Sequence, residues 1–211
     1  MFDEMSFDEL NSLLANKRSM SFEQYFGEME LSDDEIQRRI KLAEKLEDGF
    51  LFVLALLFTM QQQNTVNWER ARQEYENRYL SALAGYVTIT PYIRNYVRSM
   101  SYDVMDSTRN HQSNIYYYSP DRSRFMAENE SNFARSYQVN EDAIASGFKK
   151  KRWITMRDKK VRETHKEVDG HVKAIDDLFY VGGSLMGYPR DGSLGASSSE
   201  IVGCRCSIQY F

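Results

Sequence analysis

Through the first 148 residues apolar positions recur at helical spacing, and only after them does the period shorten to that of strands. Ser32 stands at an N-cap position with Glu35 three residues later, the spacing of a capping box, and Ile36, Ile40, Leu42, Ala43 and Leu46 follow on one face. The pattern predicts a long helix that bends at Gly49 and continues through the apolar run from Phe50 to Met60 to about Gln63. That run is apolar on nearly all sides, so it needs other helices or partner subunits around it. A second helix is predicted from Asn67 to Gly85, with Trp68, Ala71, Tyr75, Tyr79, Leu80, Leu83 and Ala84 inward. A third starts at Pro91, which suits a first helical turn, and carries Tyr92, Ile93, Tyr96, Val97, Met100, Val104 and Met105. The triplet Tyr116, Tyr117 and Tyr118 with Pro120 breaks the pattern, and a fourth helix is predicted from Ser123 to Phe148 with Phe125, Met126, Phe133, Ala134, Tyr137, Ile144 and Phe148 inward. The triplet reads as packing beside a helix end, with stacking on bases as the alternative.

Beyond residue 148 the segment Trp153 to Met156 reads as a strand, Asp158 to Val168 as one or two helical turns, His171 to Ile175 as a strand and Ser207 to Phe211 as a closing strand. A long glycine-rich connection from Gly182 to Ser199 separates the last two, and such connections frame sites. The predicted class is α+β: a helical scaffold over residues 1–148, then a small mixed α+β domain over 149–211 with a basic lead-in segment. Its 42% hydrophobic and 27% charged residues lie far from the signature of disorder, so both parts should fold.

Charge is segregated. Residues 1–48 carry thirteen acids and six bases, net −7, which leaves the remaining 163 residues at +3. Between Lys149 and Arg162 stand Lys149, Lys150, Lys151, Arg152, Arg157, Lys159, Lys160 and Arg162 against the single acid Asp158. These eight cations form a candidate surface for the phosphates of double-stranded DNA, bound without sequence preference, with a solvated charged linker as the competing reading. Acid at one end and base further along also permits head-to-tail self-association. Met1 to Ser6 is acidic where a secretory leader would be basic, and the apolar run of eleven residues falls short of the roughly 20 needed to span a bilayer. The protein is therefore expected to be made in a cytoplasm and to stay off the membrane.

Both cysteines, Cys204 and Cys206, and two of the three histidines, His165 and His171, lie in the last fifty residues. In a reducing compartment, cysteines one residue apart are poor candidates for a disulfide. His165, Cys204 and Cys206 are competent zinc ligands, with Asp169 or His171 to complete a tetrahedron, and a structural zinc would staple a small domain. Two other readings stay open: small buried cysteines in a core strand beside a hydrogen-bonded histidine, and a redox thiol pair. Asp158, Arg162, His165 and His171 have the chemistry of a phosphodiesterase, and Cys204 with His165 that of a nucleophile and base. No serine elbow or paired-histidine motif supports either, so an enzyme is not expected.

The order of these residues adds a further reading. Trp153-Ile-Thr-Met-Arg-Asp158, Val161-Arg162, His165, Gly170, Asp177 and Phe179, Pro189-Arg-Asp191 and the closing Cys204-Arg-Cys206 together resemble the phage Mu F-like minor head protein domain. The resemblance covers about sixty residues and rests on the joint order of the elements. Gly203 stands where that family commonly has asparagine, and a double-proline turn is reduced to Pro189. The resemblance implies a phage or prophage minor head protein acting in head morphogenesis, associated with the portal or the inner capsid and, in some members, with DNA. It implies a place in the virion, at the portal vertex or capsid interior, after synthesis in the bacterial cytoplasm. The alternative is a nuclease or toxin module on a phage-delivered domain, against which stands the end of the chain five residues after Cys206.

Overall fold

A computed structural model describes residues 21–211. The acidic stretch from Met1 to Ser6, on which the leaderless expectation rests, lies outside them. The described residues divide into two compact units, residues 41–127 and residues 21–40 with 128–211.

The first unit is helical. It holds the larger part of α2 (Asp33–Gln62), all of α3 (Trp68–Leu83) and α4 (Pro91–Asn110), a 3-10 turn over Ile115–Tyr118 and the start of α5 (Pro120–Ala145). The apolar run is core: Phe50, Val53, Leu54, Leu57 and Phe58 are buried, and Phe50 stacks on Tyr75 with ring centroids 4.7 Å apart. Such a pair contributes about 0.5–1.5 kcal/mol beyond its buried area. Phe52 alone of the run's large residues is well exposed, and the Arg78 guanidinium covers its ring at 3.5 Å. Gly49 does not end the helix. A Cβ there would meet the Cβ of Arg78 at 3.3 Å, so glycine serves the close approach of α2 and α3. Among the described residues no helix is long and apolar enough to cross a membrane.

The tyrosine triplet divides its roles. Tyr118 is buried edge-on to Phe58, Tyr117 lies under the Arg122 guanidinium at 4.5 Å, and Tyr116 is exposed. Buried Arg122 donates to Thr108 Oγ1 and to the Tyr117 carbonyl, each at 2.7 Å, which ties the turn to α4.

The second unit begins with α1 (Phe22–Phe26), whose capping box is made by Ser21 and Gln24. Ser32 accepts the Glu35 amide as an N-cap should, at 3.3 Å. Glu35 does not reach back to close a box; its carboxylate takes Arg39 at 3.0 Å and Arg135 at 2.6 Å, all three buried. A buried carboxylate between two guanidinium groups outcompetes an exposed amide, since unpaired buried charge is costly.

The second part of α5 is polar and yet buried: every residue from Glu128 to Tyr137 is inaccessible. Met126, Phe133, Ala134 and Tyr137 point inward as the pattern predicts, whereas Phe125, Ile144 and Phe148 are exposed. Among its buried polar side chains, Asn129 and Asn132 bind loop backbone, as described below.

Beyond α5, β1 (Lys150–Ile154) is the centre of an antiparallel sheet in the order β2-β1-β5, with β2 Val172–Ala174 and β5 Ser207–Tyr210. Lys151 pairs with Lys173 on one side and Tyr210 on the other. The glycine-rich connection contains a hairpin that its composition hid, β3 (Phe179–Val181) and β4 (Ser184–Met186) turned by Gly182 and Gly183. Trp153, Val168, Phe179, Val181, Met186, Cys204 and Cys206 form one buried cluster under these strands. The protein is α+β, helical for its first two-thirds and mixed at its C-terminal end.

Candidate functional site

His165 lies on the single turn α6 (Glu163–Lys166) that follows β1. The approach to that turn is fixed by Asp169, which accepts the Thr155 amide at 2.8 Å and Arg157 Nε at 2.9 Å. The imidazole is buried, edge-on to Trp153 with centroids 5.9 Å apart. Cys204 and Cys206 sit on the extended lead into β5, and Arg205 between them points the other way, to Asp158 at 2.5 Å. Alternation along extended backbone places both sulfurs on the histidine.

The Cys204 segment is held from α5. Asn132 Nδ2 donates to the Cys204 carbonyl at 2.8 Å, and the Gly203 amide donates to Asn129 Oδ1 at 2.8 Å. Arg190, buried and at φ +72°, donates to both the Cys204 carbonyl and Asn129. Gly203 itself stands at φ +69°, in the left-handed region that glycine enters without strain.

His165 Nδ1 lies 3.3 Å from Cys206 Sγ and 3.6 Å from Cys204 Sγ. Its Nε2 lies 3.1 Å from Glu200 Oε2, and the Thr164 hydroxyl donates to the same oxygen at 2.8 Å. Glu200 belongs to a second short turn, α7 (Ser198–Ile201), and is buried. The sequence offered no signal for it, since it follows three serines in a stretch with no period. Gly182 makes its room: a Cβ there would come within 2.4 Å of the carboxylate.

The sulfurs are electrostatically unequal. A hydrogen bond from Cys206 is the chief cause that holds the Cys204 thiol well below the usual range; burial opposes it, and His165 adds to it. Cys206 is pushed up, first by that same bond, then by burial and by the charge of Cys204. Burial pulls His165 down, but the hydrogen bond and charge of Cys204 outweigh it and the net shift is upward. Chemically the group is three metal donors in one place, or a cysteine, a histidine and a carboxylate in line. Catalysis needs an exposed sulfur, and Cys204 and Cys206 are 2% and 3% exposed.

His171 is not among these donors. It is exposed, and its backbone pairs with Trp153 and Val168. Asp169 is occupied by Thr155 and Arg157, and Asp158 by Arg205. Among the described residues the potential metal-binding cluster is His165, Cys204 and Cys206.

The eight cations separate. Lys150 and Arg152 are exposed on β1, with Lys149 exposed just before them; Arg152 packs over Phe211 and bonds Gln209. Lys151, between them in sequence, is buried, and its ammonium donates to the Gly187 carbonyl at 2.8 Å. The strand pleat alone accounts for this, because alternate side chains must enter the core. Arg157 is exposed but paired with Asp169 and Glu30, and Arg162 is spent on the Val202 carbonyl. Lys159 and Lys160 are exposed. A surface groove of about 560 Å³ is lined by Thr155, Arg157, Asp158, Lys159, Lys166 and Asp169; its two carboxylates offset most of its positive charge.

In this unit a polar helix pins a Cys-Arg-Cys run onto a buried histidine, beside a three-stranded sheet led by a basic strand. The family model described as Phage Mu protein F like protein matches residues 100–209, just over half of the chain, and the chain belongs to that family. It is a phage head morphogenesis protein. No curated relative and no solved structure matches the chain at a significant level.

Proposed function

We propose that this chain is a minor head protein that joins the portal or the inner face of the capsid during head assembly and touches the packaged genome through the exposed side of β1. The observation that carries the reading is the family match over residues 100–209, which spans α5, the sheet and the Cys204-Arg205-Cys206 run. The DNA contact is supported by Lys149, Lys150 and Arg152, with Lys159 and Lys160 nearby in sequence, all exposed and, unlike Lys151 and Arg162, not consumed by internal carbonyls. The role is structural rather than catalytic, in keeping with the burial of both sulfurs.

Portal and capsid proteins of the same phage, immobilised in turn, should retain the chain; retention by neither would overturn the partner assignment. For DNA, neutralising up to five phosphates predicts binding whose log affinity falls with log salt at a slope of at most about −4.5, independent of sequence. Changing Lys149, Lys150 and Arg152 together to alanine should remove most of that slope. Affinity unchanged in that variant, or no shift of DNA at low salt, would sink the placement.

A further inference from the structure

We propose that His165, Cys204 and Cys206 bind a zinc ion through three protein donors, with the fourth corner left to a solvent molecule. The donor spacing is the first ground. From Zn–S of about 2.3 Å and Zn–N of about 2.05 Å, a tetrahedral site requires N···S edges of about 3.6 Å. His165 Nδ1 stands 3.3 Å and 3.6 Å from the two sulfurs, and all three donor atoms lie within 4.8 Å of one another. One intervening residue is usually too few for a zinc cysteine pair on a flat strand. Here the Cys206 amide lies 3.5 Å from Cys204 Sγ, donating toward it, and both sulfurs face His165 Nδ1.

The second ground is the support around the donors. A metal-bound histidine characteristically gives its other ring nitrogen to a carboxylate, which fixes the tautomer and aims the lone pair at the metal. Glu200 does this for Nε2 and is itself held by Thr164, and Gly182 leaves the volume it needs. Buried machinery that orients one histidine is more than a packing role requires. The third ground is Trp153, fully buried, whose indole N–H faces the Cys206 sulfur and has no other acceptor. A metal-bound thiolate is a better acceptor for that N–H than a neutral thiol.

The competing uses of the donors fit less well. A disulfide across one residue is strained, and a thiol nucleophile has no route to a substrate when both sulfurs are buried. Zinc would tie α6 to the lead into β5, and its binding energy would be folding energy for the small sheet. This inference stands apart from the portal and DNA assignments and survives their failure.

The test is metal analysis of the full chain, expressed and purified without chelator or affinity nickel. Stoichiometric zinc is expected, lost in Cys204→Ser, Cys206→Ser and His165→Gln and kept in His171→Ala. Cobalt(II) added to metal-free wild-type protein should give thiolate-to-cobalt charge-transfer absorption. Glu200→Gln, which keeps every donor, should retain that absorption while zinc competition shows an affinity lower by about 10–100-fold. Absence of both zinc and the cobalt band in wild-type protein with native circular dichroism would overturn the proposal, whether or not any variant folds. Zinc retained in both cysteine variants would overturn it equally.

Discussion

Gly182→Ala is the sharpest probe of how the buried histidine is held. Gly182 sits at φ +54°, where an L side chain costs roughly 1–2 kcal/mol. Its Cβ would stand 2.4 Å from the Glu200 carboxylate, so that carboxylate must move. Moving it gives up the contact with His165 Nε2 at 3.1 Å and the bond from Thr164 at 2.8 Å. Bonds to a charged group are worth about 1.5–3 kcal/mol each, and partial recovery elsewhere leaves about 3–5 kcal/mol in all. Gly183→Ala is the matched control: at φ +84° it carries the backbone cost, but its Cβ would meet nothing closer than 3.9 Å. The loss there should be only about 1–2 kcal/mol. Chemical denaturation followed by tryptophan fluorescence reports on this unit through Trp153, and a 3 kcal/mol difference is roughly a 6–12 °C shift in Tm for a chain of this size. In the double variant Gly182→Ala, Glu200→Ala the clash is gone, so the second substitution should cost far less than Glu200→Ala alone. Equal losses at 182 and 183, or strict additivity in the double variant, would refute the claim that Gly182 exists to seat Glu200.

Glu35→Gln should cost about 3–5 kcal/mol, because it removes the charge of the buried carboxylate that both Arg39 and Arg135 bind; urea midpoints within a few tenths of wild type would count against it. In acid, stability should fall as Asp158 and Asp169 take up protons. Burial alone would raise both, but Arg205 and the Lys160 amide for Asp158, and the Thr155 amide and Arg157 for Asp169, hold the net value below the ordinary carboxylate range. A depressed folded value means stability that is fully present above the unfolded carboxylate range and lost as pH falls through the folded one. Arg205→Ala should therefore flatten the acid limb of a stability-against-pH curve below about pH 4, and an unchanged limb would show that the pairing contributes nothing.

Helices were legible where burial follows apolar periodicity. Phe50 to Met60, Tyr75 with Tyr79, and Ile93 with Val97 declared themselves because one face of each helix meets other helices. The same logic misread α5 and the residues after it, where Phe125, Ile144 and Phe148 are exposed and Asn129, Asn132 and Arg135 are buried. A helix that must satisfy the backbone of an irregular loop needs amides such as Asn129 and Asn132 on its inner face, and hydrophobic periodicity has no sign for that requirement. In the basic segment one cation was misjudged. Counting charge gave a run of +7, but a strand alternates, so Lys151 turns inward while Lys150 and Arg152 turn out.

The metal donors were legible as residue types and only partly as a set. His165, Cys204 and Cys206 do meet, whereas His171, six residues from His165, does not join them. Nothing local distinguishes the two histidines. One follows a loop anchored by Asp169 and takes the single buried position of a short turn; the other precedes the edge strand β2, all of whose residues are exposed. What separates them is therefore tertiary: a histidine becomes part of this centre only where a carboxylate can take its second nitrogen, and Glu200 is within reach of His165 because Gly182 has no side chain. The identity of the site thus depends on a glycine and a glutamate that carry no motif, and their substitution should disable it while leaving its three donors in the chain.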